Sequence, residues 1–416
     1  MKPVSTIIIG AGSRGMGYAG YIADHPQEGT VVAVAEPRTW YRKKMTADYG
    51  LPEENVYNDW KKLAERERFA DAVIIATPDA LHTEPAIAFA KKGYHILLEK
   101  PMAPTEAECR KIVTTVQQQN IIFAVCHVLR YTPYTQQLKT ILDAGRIGEI
   151  VSIQHLEPVG YWHQAHSFVR GNWRNEQESA FMLLAKSCHD LDWLRYIMDE
   201  PCLRVQSFGG LKHFRKSEKP AGAGTRCLDC AVEKNCPYSA RRIYLDRLKN
   251  GETGWPVNVL TPEVTEENVI QALKEGPYGR CVYHCDNDVV DHQVVNLEFS
   301  GNKSATFTMT AFNRGRGRET RIFGTQGEIF GDSSKIEIFN FLTDQVEVID
   351  TTASDMTVNG GHGGGDFGLM QSFLAAIQKN DTGKILSGPQ ETLETHLTVF
   401  AAERSRHQRT VEEIRI

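Results

Sequence analysis

Between Met182 and Leu194 the chain reads MLLAKSCHDLDWL, bringing a lysine, a histidine and two aspartates to the point where an apolar run passes into a helix. At 3.6 residues per turn Lys186, His189 and Trp193 share one stripe, and Asp192 lies near enough to orient the His189 imidazole. An imidazole titrates near neutral pH and an ammonium group stabilises a developing oxyanion. Such a set would take a proton from a hydroxyl, with His189 as base, Asp192 orienting it, and Lys186 holding the substrate hydroxyl or sharing the proton. A second lysine, Lys100, ends the apolar run HILLEKPMA. In an open parallel sheet the carboxyl ends of the strands form the ligand crevice, so Lys100 would point at whatever binds there. The competing readings are plain: a helix-start polar cluster satisfied by backbone, and a surface lysine before a turn.

These side chains need elements to hold them. Residues 1–126 alternate short β-branched runs with amphipathic segments, the pattern of βαβ units on a doubly wound parallel sheet. STIIIGAG, TVVAVAEP, DAVIIATP, YHILLEKP and IIFAVCHV are the strand candidates, apolar throughout because helices cover both faces. GAGSRG sets Gly10, Gly12 and Gly15 in GxGxxG spacing directly after the first strand, with Ser13 and Arg14 inside the turn. Such a turn lets the backbone approach a pyrophosphate at a helix N-terminus. Glu36 ends the second strand, where a carboxylate accepts ribose hydroxyls and repels a 2′-phosphate. That favours NAD over NADP, an effect that Arg38 two residues later would offset. Arg14 would stack on adenine, bind a phosphate or remain solvated.

Residues 127–416 have a different texture. EIVSIQHLE, HQVVNLEFS, SATFTMTAFN, RETRIFGTQGEIF and SKIEIFNF indicate an α/β domain with a largely antiparallel open sheet. An insertion from about 211 to 285 breaks this rhythm. Within it Cys227, Cys230 and Cys236 are spaced C-x2-C-x5-C, with Cys281 and Cys285 following, a candidate structural zinc site set against reduced packing cysteines. Around the crevice, His163, His166, Trp173 and Arg174, with Tyr161 and Trp162, are candidates for a pocket that takes a sugar ring. Asp291 and His292 are further candidates. His362 and Asp366 in GHGGGDF would hold a glycine turn and cap the next helix.

Composition narrows the function classes. The 416 residues carry a formal net charge of −5, which offers no basic field for nucleic acid. No stretch has the apolar length of a membrane span, and the N-terminus reads as mature sequence without a signal peptide. Nine cysteines, mostly scattered, fit reduced thiols in the cytoplasm.

GAGSRG, ATPDALHTEPA, EKP, RYTPYTQQLKTILDAGRIGEI, CHDLDWL, GTQGEI, GHGGGDF and AAERS occur in an order and approximate spacing that resemble the Gfo/Idh/MocA oxidoreductases. The resemblance covers both domains, and the insertion has no counterpart in minimal members. It implies a sugar, glycoside or polyol oxidised or reduced with NAD(P), and a homodimer or homotetramer formed through the C-terminal sheet. By the same resemblance Thr77, Pro78 and His82 line the cofactor, Glu99 and Lys100 bridge nicotinamide ribose and substrate, and Arg130 helps form the pocket floor. Family members place an aspartate four residues before the histidine; here Ala185 stands there, with Lys186 beside it. Two other outcomes follow from the same architecture: a redox glycoside hydrolase with no net cofactor turnover, and a non-enzymatic NAD(P)-binding regulator.

Overall fold

The computed structural model describes residues 2–352 and 362–415, with His362 by its backbone alone. The expectation for the His362 side chain therefore lies outside the described residues. Six parallel strands form the first sheet: β1 (Val4–Ile9), β2 (Gly29–Ala35), β3 (Val56–Tyr57), β4 (Ala72–Ile75), β5 (His95–Leu98) and β6 (Phe123–Val125). Their spatial order is β3-β2-β1-β4-β5-β6, so the winding reverses between β1 and β4. The crevice beyond the carboxyl ends of those two strands is where such a sheet binds its ligand. All four residues of β4 are fully buried, as the unbroken apolar run requires. The two-residue β3 has no apolar run to betray it.

Local chemistry sets the helix ends. Thr105 caps the helix Glu106–Gln118, its hydroxyl accepting from the Glu108 amide and donating to the Glu108 carboxylate at 2.7 Å. Thr132 caps Pro133–Asp143, with proline at the first turn.

The second sheet has nine strands: β7 (Ile150–Pro158), β8 (Cys202–Gly210), β9 (His292–Phe299), β10 (Lys303–Thr310), β11 (Glu319–Gly324), β12 (Gly327–Gly331), β13 (Lys335–Asn340), β14 (Gln345–Asp350) and β15 (Glu412–Glu413). Their order is β14-β13-β12-β11-β7-β10-β9-β8-β15, antiparallel throughout except where β10 runs parallel to β7. Helices Cys188–Met198 and Pro389–Gln408 contribute to one core with the inner face of this sheet, and that core continues into the first domain. The helix Gly365–Lys379 packs on the first domain as well, with Leu369, Met370, Phe373 and Leu374 against Val4, Ile8 and Tyr18.

The insertion, which the sequence shows only as a break in the strand rhythm, has a core of its own. Phe214, Tyr238, Ile243, Tyr244, Val257, Val269, Leu273 and Val282 build a separate core under it. Val269 and Leu273 lie one turn apart on the helix Glu266–Glu275, while most of the others are scattered through short turns without periodicity.

Candidate active site

The glycine turn follows β1 into the helix Ser13–Asp24. Gly10 has φ +87°, and a Cβ there would stand 2.5 Å from the Ala76 carbonyl oxygen at the end of β4. A Cβ on Gly15 would stand 1.9 Å from the Gly10 oxygen. Both positions exclude a side chain. At Gly12 a Cβ would meet only the Arg38 Nη2, at 3.5 Å, which leaves a cradle open over the helix N-terminus. Those features fit a dinucleotide pyrophosphate held by Gly12 and Ser13.

The Glu36 carboxylate is buried with all of its acceptor positions in use. It accepts from the Ala11 amide at 2.7 Å, the Arg38 amide at 2.9 Å, and the Arg38 Nε and Nη2 at 2.8 and 2.9 Å. Burial raises its pKa, and the Arg38 hydrogen bonds outweigh that, holding the carboxyl below the usual range. A ribose would have to displace Arg38, whose guanidinium also lies 4.0 Å from the Tyr41 ring centroid.

Arg14 does not reach toward an adenine. Its Nε donates to Glu99 Oε1 at 2.6 Å, and its Nη2 donates to both Tyr18 and Asp366. Tyr18 donates to the same Glu99 oxygen at 2.5 Å. Burial raises the Glu99 pKa, but the Arg14 charge and these hydrogen bonds hold the carboxyl below its ordinary value. Asp366 therefore joins this cluster and does not cap its helix, whose N-cap is Gly364. Tyr18 was not among the expected residues; its place one helical turn after Arg14 was the available signal.

His82 is fully buried, its Nδ1 2.8 Å from the Pro101 oxygen and its Nε2 2.9 Å from the Thr77 oxygen. It ties the loop after β4, with Thr77 and Pro78, to the loop after β5. Lys100 follows Glu99 on that second loop, and its Nζ donates to the Ala185 carbonyl at 2.6 Å. The ammonium group thus reaches across the crevice to the stretch that carries Lys186 and His189.

There the single helical stripe is corrected. A short helix, Met182–Ala185, ends at Lys186, and a second begins at Cys188. Lys186 turns to the second sheet, its Nζ 3.3 Å from Glu157 Oε1. The buried His189 instead meets the His127 ring edge to face, with centroids 5.8 Å apart. Asp192 is committed elsewhere too. It accepts from Arg130 Nε and Nη2, both at 2.7 Å, and from the Thr395 hydroxyl at 3.1 Å. Arg130 also donates to the Leu386 carbonyl, so this buried guanidinium ties together elements far apart in the chain. A carboxylate one turn from a histidine suggested a pair; a guanidinium 62 residues away in sequence competes for it and wins.

His163 is the imidazole that shares the field of both lysines. Burial pushes its pKa well below the ordinary value, and the charges of Lys186 and Lys100 act in the same direction. Trp173 bridges the domains, its Nε1 donating to Asp79 Oδ2 at 3.2 Å, and the Ser179 hydroxyl meets the same oxygen. Arg174 is held by Asp286 at 3.1 and 3.2 Å and by Glu178 at 2.9 Å, which removes it from the pocket. His166 packs into the insertion against Tyr244 and Tyr278, and Asp291 holds the Lys212 and His213 amides.

A buried charge chain beneath the crevice also escaped the sequence reading. Lys186 meets Glu157, Glu157 meets Arg318 at 2.8 Å, and Arg318 meets Asp190, which accepts from His155 at 3.1 Å. Burial opposes the Asp190 charge, while Arg318 and His155 outweigh it and drive its pKa far below the usual carboxylate range. The signal was present in β7, where His155 and Glu157 occupy core-facing positions of an alternating strand.

Among the described residues, the one trio of ligand-type atoms within 4.8 Å of one another is Glu176, Glu403 and His407, and no cysteine belongs to it. Four sulfurs on one zinc stand about 3.8 Å apart, given Zn–S bonds of about 2.3 Å. The expected zinc site at Cys227, Cys230 and Cys236 is thus not supported by the sulfur positions. No described helix is long and apolar enough to cross a membrane.

Residues 4–127 match the oxidoreductase family's NAD-binding Rossmann fold, and residues 139–413 match its C-terminal alpha/beta domain. The chain is 23% identical over 341 residues to YteT of Bacillus subtilis (strain 168), named as an oxidoreductase, covering 77% of this chain and 76% of that one. It is 29% identical over 210 residues to the 2,7-anhydro-N-acetylneuraminate hydratase of Mediterraneibacter gnavus, covering 50% of this chain and 53% of that one, about half of that relative's length. Levoglucosan dehydrogenase in complex with NADH and levoglucosan has the same fold, with a TM-score of 0.71, 18% identity and 100% of each chain covered. With both domains matched over most of its length, the chain belongs to the Gfo/Idh/MocA oxidoreductase family.

Proposed function

We propose that this protein is an NAD-dependent dehydrogenase or reductase acting on a hydroxyl-bearing carbon of a sugar, glycoside or polyol. The observation that carries the reading is Lys100, whose ammonium group crosses from the end of β5 to the Ala185 carbonyl beside His189. Bound nicotinamide supplies the hydride chemistry. Lys100 donates to the substrate oxygen and stabilises the negative charge that develops there. His189 accepts the hydroxyl proton. His163, whose protonation is opposed by burial and by both lysines, stays neutral and hydrogen-bonds a second hydroxyl. Lys186, fixed by Glu157, orients the ring from the sheet side. Gly12 and Ser13 hold the pyrophosphate, and Glu36 holds the ribose once Arg38 swings aside, which favours NAD over NADP. Thr77, Pro78 and Glu99 border the nicotinamide end.

Levoglucosan dehydrogenase and inositol 2-dehydrogenase among the relatives support the substrate class. The hydratase among them favours one second reading, a redox-neutral cycle on a glycoside. The presence of both Lys100 and His189 argues against the non-enzymatic regulator, because a sensor needs no proton relay. The protein is further proposed to be a cytoplasmic homo-oligomer: its nine cysteines are all unbridged, and among the described residues no helix covers the outer face of the second sheet, where Phe208 is exposed.

The test is a panel of sugars, polyols and glycosides incubated with NAD, followed by NADH absorbance and product identity. Net NADH with an oxidised sugar supports the dehydrogenase. Hydrolysed or hydrated product without NADH would replace it with the second reading. The variants separate the two imidazoles: His189→Ala lowers kcat, whereas His163→Ala mainly raises KM.

A further inference from the structure

The insertion holds a second built feature, independent of the sugar chemistry. Arg226 pairs with Arg280 in an isolated antiparallel bridge. The Cys227 amide donates to the Gly279 carbonyl and the Cys281 amide to the Thr225 carbonyl, each at 2.9 Å. Two distant stretches are thereby laid side by side, with Cys227 next to Cys281. A turn returns the chain from Cys227 to Cys230, and the short helix Glu233–Asn235 delivers Cys236, followed by Pro237. Cys227, Cys230, Cys236 and Cys281 all line one cavity of about 270 Å³. Cys285 does not; its thiol donates to the Cys281 carbonyl.

The cavity wall includes a buried cation. Arg170, 1% exposed, donates from Nε to the Arg280 carbonyl at 2.7 Å and from Nη2 to the Tyr238 carbonyl at 2.8 Å, with Cys227 Sγ at 3.4 Å. Its Nη1 has no hydrogen-bond partner among the described residues. The Gly224 amide donates to Cys230 Sγ at 3.3 Å. A guanidinium with an unused donor and N–H groups aimed at sulfur suit an anionic, thiolate-bound occupant, because hydrogen bonds to the sulfurs and nearby positive charge offset its charge.

The occupant's size follows from the sulfurs. No three of them lie within 4.8 Å of one another, wider than the ~3.8 Å that a single zinc sets, and the space between them is a cavity. A cubane of iron and sulfide takes one cysteine at each of four corners and spreads them more widely than a single metal does. We propose that Cys227, Cys230, Cys236 and Cys281 bind a four-iron, four-sulfide cluster. On transfer of a preformed core whose irons carry exchangeable small-thiolate ligands, four iron–cysteine bonds form as four iron–donor-thiolate bonds break, and the four cysteine protons pass to the departing thiolates. No electron is exchanged. Arg170 ends the helical segment Gln164–Arg170, which follows His163, so the cluster serves as a staple that holds this segment in place.

The test uses the full chain purified without oxygen, then reconstituted with equal amounts of ferrous and ferric iron, sulfide and a small thiol, so that the core assembles without a separate oxidant. Expected are about four irons and four acid-labile sulfides per chain and the broad visible absorbance of sulfide-to-iron charge transfer. The double variant Cys230→Ser/Cys236→Ser alters two half-buried thiols; it should keep its circular dichroism and bind at least tenfold less iron. Cys285→Ser should load as wild type does. Wild-type protein holding no more iron than the double variant overturns the proposal. So does one zinc per chain that excludes iron when both are supplied equally.

Discussion

Three imidazoles are kept neutral by the places they occupy. Burial lowers the pKa of His127 and His166 to about 3 and that of His396 to about 4. In the unfolded chain each titrates near ~6.5. Between those values the unfolded state binds protons that the native state refuses, so stability is complete above the unfolded pKa and falls as pH drops. The loss is about 1.4 kcal/mol per pH unit for each histidine. Urea unfolding at about pH 7.5 and about pH 5 should show a clear drop in midpoint; an unchanged midpoint contradicts neutral burial of these rings. At the cofactor turn, Glu36→Ala removes the ribose acceptor and frees Arg38 for a 2′-phosphate. NAD affinity should fall roughly tenfold or more while NADP affinity rises, since a hydrogen bond to a charged group contributes about 1.5–3 kcal/mol. Titration calorimetry with both dinucleotides measures this, and an unchanged ratio would remove Glu36 from the site.

At the scale of elements, the glycine turn joins β1 to its helix only because Gly10 tolerates φ +87° against the Ala76 carbonyl. Gly10→Ala should cost about 1–3 kcal/mol and abolish NAD binding, read by thermal unfolding with and without NAD; a variant still stabilised by NAD contradicts that placement. This turn was legible because its demands are local: spacing, a preceding strand, a following helix. The other parallel strands, apart from β3, were legible for the same reason, as unbroken apolar runs. Side-chain pairing was not. Asp192 lies one turn from His189, yet it belongs to Arg130, and Arg174 belongs to Asp286. Both partners come from far along the chain, and periodicity says nothing about them. The helix break at Lys186 was likewise hidden, because Lys186 leaves the stripe to meet Glu157 on β7.

Taken whole, the described residues leave one face of the second sheet uncovered. Phe208 on β8 is 52% exposed and lies opposite Val294 on β9. Exposed apolar rows of this kind mark association surfaces. The native protein should elute as a multiple of 46.7 kDa, and Phe208→Asp/Val294→Asp should elute as a single chain. Light scattering coupled to gel filtration decides it; a native monomer contradicts the interface.

The account depends most on an ammonium group poised at the reacting oxygen. Lys100→Met keeps the length of the side chain and removes its charge and donors. With the substrate that gives most NADH, kcat should fall roughly a hundredfold or more, while the dissociation constant for NAD stays within about twofold. Turnover near that of the native protein in this variant would contradict the assignment of Lys100, and with it the proposed chemistry.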